Sequence, residues 1–90
     1  MKITISPIKQ ALIQGCINRN RPSQKQLYGI LSPSIYTSIL REGFPKQEAE
    51  EVLNRIFIEI FNSIEHYNHH ISFEDWYMDV CEVVMNRSRH

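Results

Sequence analysis

Three glycines in 90 residues are too few to line a phosphate-cradling loop, and no Gly-rich spacing of that kind occurs. There is no nucleophile elbow and no third group placed to orient a Ser–His or Cys–His pair. Glu50 and Glu51 are neighbours, so on a helix they point about 100° apart and cannot work as a facing acid and base. The sequence therefore predicts a non-enzymatic chain with no small-molecule substrate. Cysteine is scarce as well. Cys16 and Cys81 lie far apart without a spacing motif, which predicts two small buried or half-buried hydrophobes rather than a disulfide framework. The remaining ligand candidates are His66, His69, His70 and His90. They form no zinc-type spacing, so no metal or other cofactor is expected, and a solvated loop accounts for them. No apolar run has signal-peptide or membrane-spanning length, so a reduced, cytoplasmic chain without a membrane partner is expected.

Acid is missing from the whole first stretch. Residues 1–41 carry six cations and no carboxylate, residues 42–82 carry all ten acids against Lys46 and Arg55, and Arg87 and Arg89 close the chain, for a net charge of zero. Either the blocks attract one another within the fold, or the acidic middle and the basic ends meet different partners.

What is present is helical period. Length and composition allow one domain over 1–90 and one modest core. A first helix is predicted from Pro7, capped by Ser6, with Ile8, Leu12, Ile13, Cys16 and Ile17 on one stripe. The stretch Asn18–Pro22 ends it, and Ser23 can cap a second helix carrying Leu27, Tyr28, Ile30, Leu31, Ile35, Tyr36, Ile39 and Leu40. Pro33 predicts a kink or short break in that helix, and Gly43 its C′ residue. The third helix is the clearest: Ala49, Val52, Leu53, Ile56, Phe57, Ile60, Phe61 and Ile64 follow the helical period, with charged residues on other faces. Residues 67–71 read as a loop. Ser72 followed by Asp75 resembles a capping box for a last helix with Phe73, Trp76, Tyr77, Val80, Val83 and Val84. Strand signals are weak. The fold class is all-α, a compact bundle of about four helices.

Tyr67, Phe73, Trp76 and Tyr77 cluster around the last loop and helix start. Core packing is the ordinary reading. The functional one is a platform for unstacked bases, with Arg87 and Arg89 about three turns on to meet phosphates. Phe44 and Met78 are candidate exposed apolar residues for an oligomer contact.

Four segments in order resemble bacterial RNA polymerase sigma factors of the extracytoplasmic-function type. They are Leu12-Ile13-Gln14-Gly15-Cys16, Gln24-Lys25-Gln26-Leu27-Tyr28, Glu48-Ala49-Glu50-Glu51-Val52-Leu53-Asn54-Arg55-Ile56-Phe57 and Phe73-Glu74-Asp75-Trp76. The third is similar to the family's Asp-Ala-Glu-Asp run, and the fourth to its Phe-x-x-Trp. The resemblance covers nearly the whole chain and implies the region 2 domain, without the family's second, helix-turn-helix domain. It implies a transcription initiation module whose Glu48, Glu50, Glu51, Asn54 and Arg55 meet the clamp helices of core RNA polymerase. It also implies that Tyr67, Trp76, Tyr77, Arg87 and Arg89 meet single-stranded promoter minus-ten DNA. Arg55 stands where the family commonly has Glu. Asp79, Val83 and His90 stand where it usually has a basic residue, Asn and a basic residue. A carboxylate beside a phosphate strand is repulsive, so the alternative is a divergent relative without DNA binding. Such a relative would act as a regulator or interaction domain on polymerase or an anti-sigma-type protein.

Overall fold

The computed structural model describes residues 8–89. Four helices make up the described chain: α1 (Gln10–Ile17), α2 (Arg21–Arg41), α3 (Lys46–Ser63) and α4 (Phe73–Ser88), with a single 3₁₀ turn, Ile64–His66, extending α3. No strand occurs among the described residues. The chain is an all-α bundle, and no helix among the described residues is long and apolar enough to cross a membrane.

α3 is the central element. It packs against both α2 and α4, while α1 lies on α2 and on the 3₁₀ turn. Its apolar stripe is the reason: Ala49, Val52, Leu53, Ile56, Phe57, Ile60 and Ile64 are all buried, and Phe61 is half-buried. Each fully buried Ile or Leu contributes roughly 1.5–3 kcal/mol. From α2 the same core receives Leu27, Leu31, Ile35 and Ile39, spaced four apart.

That four-residue ladder explains why the break expected at Pro33 does not form. The helix runs unbroken from Arg21 to Arg41 with Pro33 inside it. Proline removes the donor that the Gly29 carbonyl would use. Both Gly29 and Pro33 are exposed, so water can take that carbonyl. The Thr37 hydroxyl donates to the Pro33 carbonyl at 3.0 Å and the Ser34 hydroxyl to that of Leu31 at 3.3 Å. Burial of Leu31 on one side and Ile35 on the other outweighs a local cost of about 3 kcal/mol.

The helix ends differ from the expectations in detail. α1 opens at Gln10, with Lys9 in the extended cap position, three residues later than the expected start. The proposed cap Ser6 and Pro7 lie outside the described residues, as does His90. α2 is capped by Asn20 rather than Ser23. The Asn20 side-chain oxygen accepts the Ser23 N–H at 3.0 Å and the Ser23 O–H at 3.1 Å, which places Pro22 inside the first turn. Gly43 is the C′ residue of α2 with φ +95°, as expected. Ser72 caps α4 by accepting the Asp75 N–H at 3.0 Å.

α1 ends in a Schellman motif with an unusual residue at its turning point. The Arg19 N–H donates to the Cys16 carbonyl at 3.0 Å and the Asn20 N–H to that of Gly15 at 2.9 Å. Arg19 holds φ +60°, a left-handed position that costs a non-glycine residue about 1–2 kcal/mol. Its guanidinium reaches Glu65 at 3.4 Å, but both groups are largely exposed, so that bridge is worth less than about 1 kcal/mol. Arg19→Gly is therefore expected to raise stability by about 0.5–1 kcal/mol, read as a higher urea midpoint at unchanged slope.

Both cysteines are free and buried, at 1% and 2% exposure. Burial raises the Cys16 thiol pKa and pushes that of Cys81 up to about 11. In both, the neutral form is the native one. A folded pKa above the unfolded value means stability that is complete below pH ~9 and lost as pH rises. For Cys81 the loss is on the order of 2 kcal/mol. Urea midpoints should fall between pH 9 and 11, and less steeply for Cys81→Ala. At pH 7.5 neither thiol should react with a thiol-specific reagent until the chain is unfolded.

Expectations about exposure are corrected at four residues. Phe44 is buried, because the left-handed turn at Gly43 folds it back onto the core, so it offers no oligomer contact. Tyr28, Leu40 and Val83 lie on their apolar stripes yet are 40%, 37% and 47% exposed. Cys81, not Val83, faces inward from α4.

Candidate functional site

The ten residues implied by the resemblance fall in three places. On α3, Glu48, Glu50, Glu51, Asn54 and Arg55 are all exposed, but they wrap the outer half of the helix. At about 100° per residue, Glu50 and Asn54 lie on the side near α2, and Glu51 faces straight out. Glu48 and Arg55 lie on the side near α4. Contacts agree with that division. Arg55 donates to the Ser88 hydroxyl of α4 at 3.3 Å, and Glu48 borders the depression that Ser88 and Arg89 line. The Ser88 hydroxyl in turn donates to the Val84 carbonyl at 2.9 Å, so this buried polar group is satisfied.

Electrostatically the five residues are not equal. Arg55 and Glu51 form an i,i+4 ion pair at 2.6 Å. Glu48 and Glu50 have no cationic partner among the described residues. A carboxylate already paired to its own helix has less to offer a basic partner than a free one. Glu50 is thus an unpaired, exposed carboxylate on the α2 side of α3.

The sequence reading passed over Ile58. It stands off the buried stripe, one turn beyond Asn54, and is 61% exposed. Phe61 lies half-buried one turn further on, and its ring touches Phe57 at 5.9 Å. Tyr28 of α2 covers Phe57 at 4.5 Å while remaining partly exposed. Glu50, Asn54, Ile58, Phe61 and Tyr28 therefore form one face, apolar at its middle and acidic at one end. An apolar residue out of register with the core stripe was the available signal.

The second group is aromatic. The Tyr67 ring meets Phe73 edge-on at 5.3 Å and Trp76 at 5.6 Å, and Phe73 stacks with Trp76 at 5.5 Å. The Tyr67 hydroxyl donates to the Ile71 carbonyl at 2.7 Å, which closes the loop before α4. His69 packs on the edge of Tyr67 at 4.6 Å. Phe73 is buried, whereas Tyr67 and Trp76 are half-buried, so these two rings offer part of their surface to solvent. Tyr77 touches the group only through Phe73, at 5.6 Å between ring centres, and offers little surface of its own to solvent. It is buried on a different side of α4, and its phenol pKa is raised by burial and then by nearby Glu74.

The two arginines part company in the third place. Arg87 is exposed and, eleven residues after Trp76, returns to the same side of α4 about 16 Å along the axis. Arg89 is occupied. Its guanidinium binds the Glu42 carboxylate at 2.5 Å, reaches the Glu42 carbonyl at 3.4 Å and covers the Phe44 ring at 5.5 Å. This clamp ties the end of α4 to the turn between α2 and α3. Both basic ends of the chain thus reach the acidic middle, through Arg19–Glu65 and Arg89–Glu42. Seven acids stay without a cationic partner among the described residues: Glu48, Glu50, Glu59, Glu74, Asp75, Asp79 and Glu82, of which Glu59 accepts the Ser63 hydroxyl at 2.7 Å.

His66, His69 and His70 are exposed, and His66 lies 3.5 Å from its neighbour Glu65. No group of three or more His, Cys, Asp or Glu side chains among the described residues is arranged to hold a metal ion. Comparison of the chain with protein-family models, with curated proteins and with solved structures finds no match in any of the three.

Proposed function

We propose that this chain is a sigma-factor-like transcription initiation module that binds core RNA polymerase through the outer face of α3. The observation that carries the reading is the Glu50–Asn54–Ile58 face. It joins a carboxylate free of intramolecular pairing, an amide and a 61% exposed isoleucine on one rigid helix. Such a face fits a basic coiled coil with an apolar seam: charge guides the approach and the isoleucine fills a hole on the partner. The four ordered sequence segments that resemble the family support the same partner. Half-exposed Tyr67 and Trp76, with Arg87 on the same side of α4, are the residues for single-stranded promoter DNA.

The test is retention of core polymerase by the immobilised chain. Glu50→Lys with Glu51→Lys should cut retention at least about tenfold, and Ile58→Lys should do the same. Retention that is absent from the start, or unchanged in all of these variants, rejects the proposal.

One observation favours a second reading, a polymerase-binding regulator that does not hold DNA. Asp79 and Glu82 are exposed on α4 without cationic partners, and Arg89 is committed to Glu42. Titration with single-stranded promoter DNA separates the two. Micromolar, salt-sensitive binding that Trp76→Ala abolishes supports the initiation module. Retention of polymerase without DNA binding supports the regulator.

A further inference from the structure

A groove runs between α2 and α4, on a different side of α4 from Trp76 and away from the outer face of α3. Two adjoining depressions of about 370 and 220 Å³ form it, and both are lined by Ser38, Met78 and Met85. Ile35, Tyr77 and Cys81 line the smaller one and are themselves buried, so the floor is apolar. Met78, 45% exposed, and Met85, one heptad later, stand along the α4 wall. Methionine side chains are flexible and polarizable, which suits a surface that closes over an incoming apolar ridge. The lining extends along α4 from Glu74 to Arg89, about 22 Å at the helical rise. That length matches about four turns of a helix.

Charge decides the occupant. Glu74 and Glu82 line the α4 side of the groove, and Asp75 and Asp79 lie next to them on the exposed face of α4. None of the four has a cationic partner among the described residues. On the other wall Arg41 is the one unpaired cation among the lining residues, because Arg89 is neutralised by Glu42. A second copy docked groove to groove would oppose these acids with the same acids, which is repulsive. We infer that the groove receives an amphipathic helix of another polypeptide, with apolar residues at helical spacing on the groove floor and a lysine- or arginine-rich flank over α4. The inference does not rest on the polymerase reading.

The experiment uses fluorescence anisotropy of a labelled 18-residue leucine–lysine amphipathic peptide, with a leucine–glutamate peptide of the same pattern as its opposite. The lysine peptide should bind at micromolar concentration and the glutamate peptide at least about tenfold more weakly. Met78→Lys should weaken the lysine peptide at least about tenfold. Ile58→Lys adds the same charge on the outer face of α3 and should change it less than about twofold. Both sites are exposed, so both variants keep the helical circular dichroism of the parent. Equal binding of the two peptides, or equal effects of Met78→Lys and Ile58→Lys, overturns the inference. So does sedimentation showing a dimer of the free chain that Met78→Lys dissociates, since the occupant is then a second copy. The polymerase and groove readings fail separately, because Ile58→Lys acts on the first and Met78→Lys on the second.

Discussion

Replacing Ile60 with alanine is expected to destabilise the domain by about 2–5 kcal/mol. Ile60 is 0% exposed in the last turn of the helix that both α2 and α4 pack against, so its truncation leaves a buried cavity rather than a site that water can fill. A chain of this size holds roughly 5–13 kcal/mol in all. The substitution thus removes a large share of it, and the melting temperature should fall by about 8 °C or more, at about 4–8 °C per kcal/mol. Ile58 is the internal control. It has the same side chain, on the same helix, two residues away, and is 61% exposed. Ile58→Ala leaves no cavity and gains helix propensity, so its effect should stay within about 0.5 kcal/mol of zero. Urea midpoints for the two variants measure the contrast directly. Equal shifts would mean that α3 does not present the Ile60 face to the core.

The second large effect reverses a usual sign. Gly→Ala inside a helix ordinarily stabilises by about 0.5–1 kcal/mol. At Gly15 a Cβ would stand 2.2 Å from the Ser23 hydroxyl oxygen and 2.8 Å from the Ser23 Cβ. The hydroxyl can rotate away. The Cβ is fixed to the first turn of α2, so α1 and α2 must part. Gly15→Ala is therefore expected to cost about 1–3 kcal/mol. Ser23→Gly in the same chain should restore most of it, because the two groups that collide are then reduced to one. Gly29, in the middle of α2, has nothing within 4 Å of its added Cβ, and Gly29→Ala should follow the usual rule and stabilise. If Gly15→Ala proves as benign as Gly29→Ala, the close crossing of α1 over α2 is wrong.

Why Gly15 matters could not be read from the chain. A glycine within a helical pattern carries no mark of the element that passes over it, and the crossing is set by residues eight positions on. The α3 stripe was legible for the opposite reason. Its information is periodic and local, and every member from Ala49 to Ile64 except half-buried Phe61 is buried. Pro33 misled because local chemistry favours a break, while Leu31 and Ile35 on either side are buried in the shared core. Asn20 and Ser23 are both good caps, and only the position of Pro22 in the first turn decides between them. For the candidate site, composition and order pointed to the acids of α3 and to Trp76. Which carboxylates remain free depends on pairings such as Arg55–Glu51 and Arg89–Glu42. The second of these joins residues 47 positions apart, and no spacing rule reveals it.

The placement of α3 between its two sequence neighbours has a kinetic consequence. Most of the interfaces join helices adjacent along the chain, so little loop-closure entropy opposes docking, and the domain should fold in microseconds to milliseconds. Nucleation belongs to α3 with one of its partners. Truncations on its stripe should slow refolding, whereas changes confined to α1, which packs on α2 and the 3₁₀ turn, should mainly hasten unfolding.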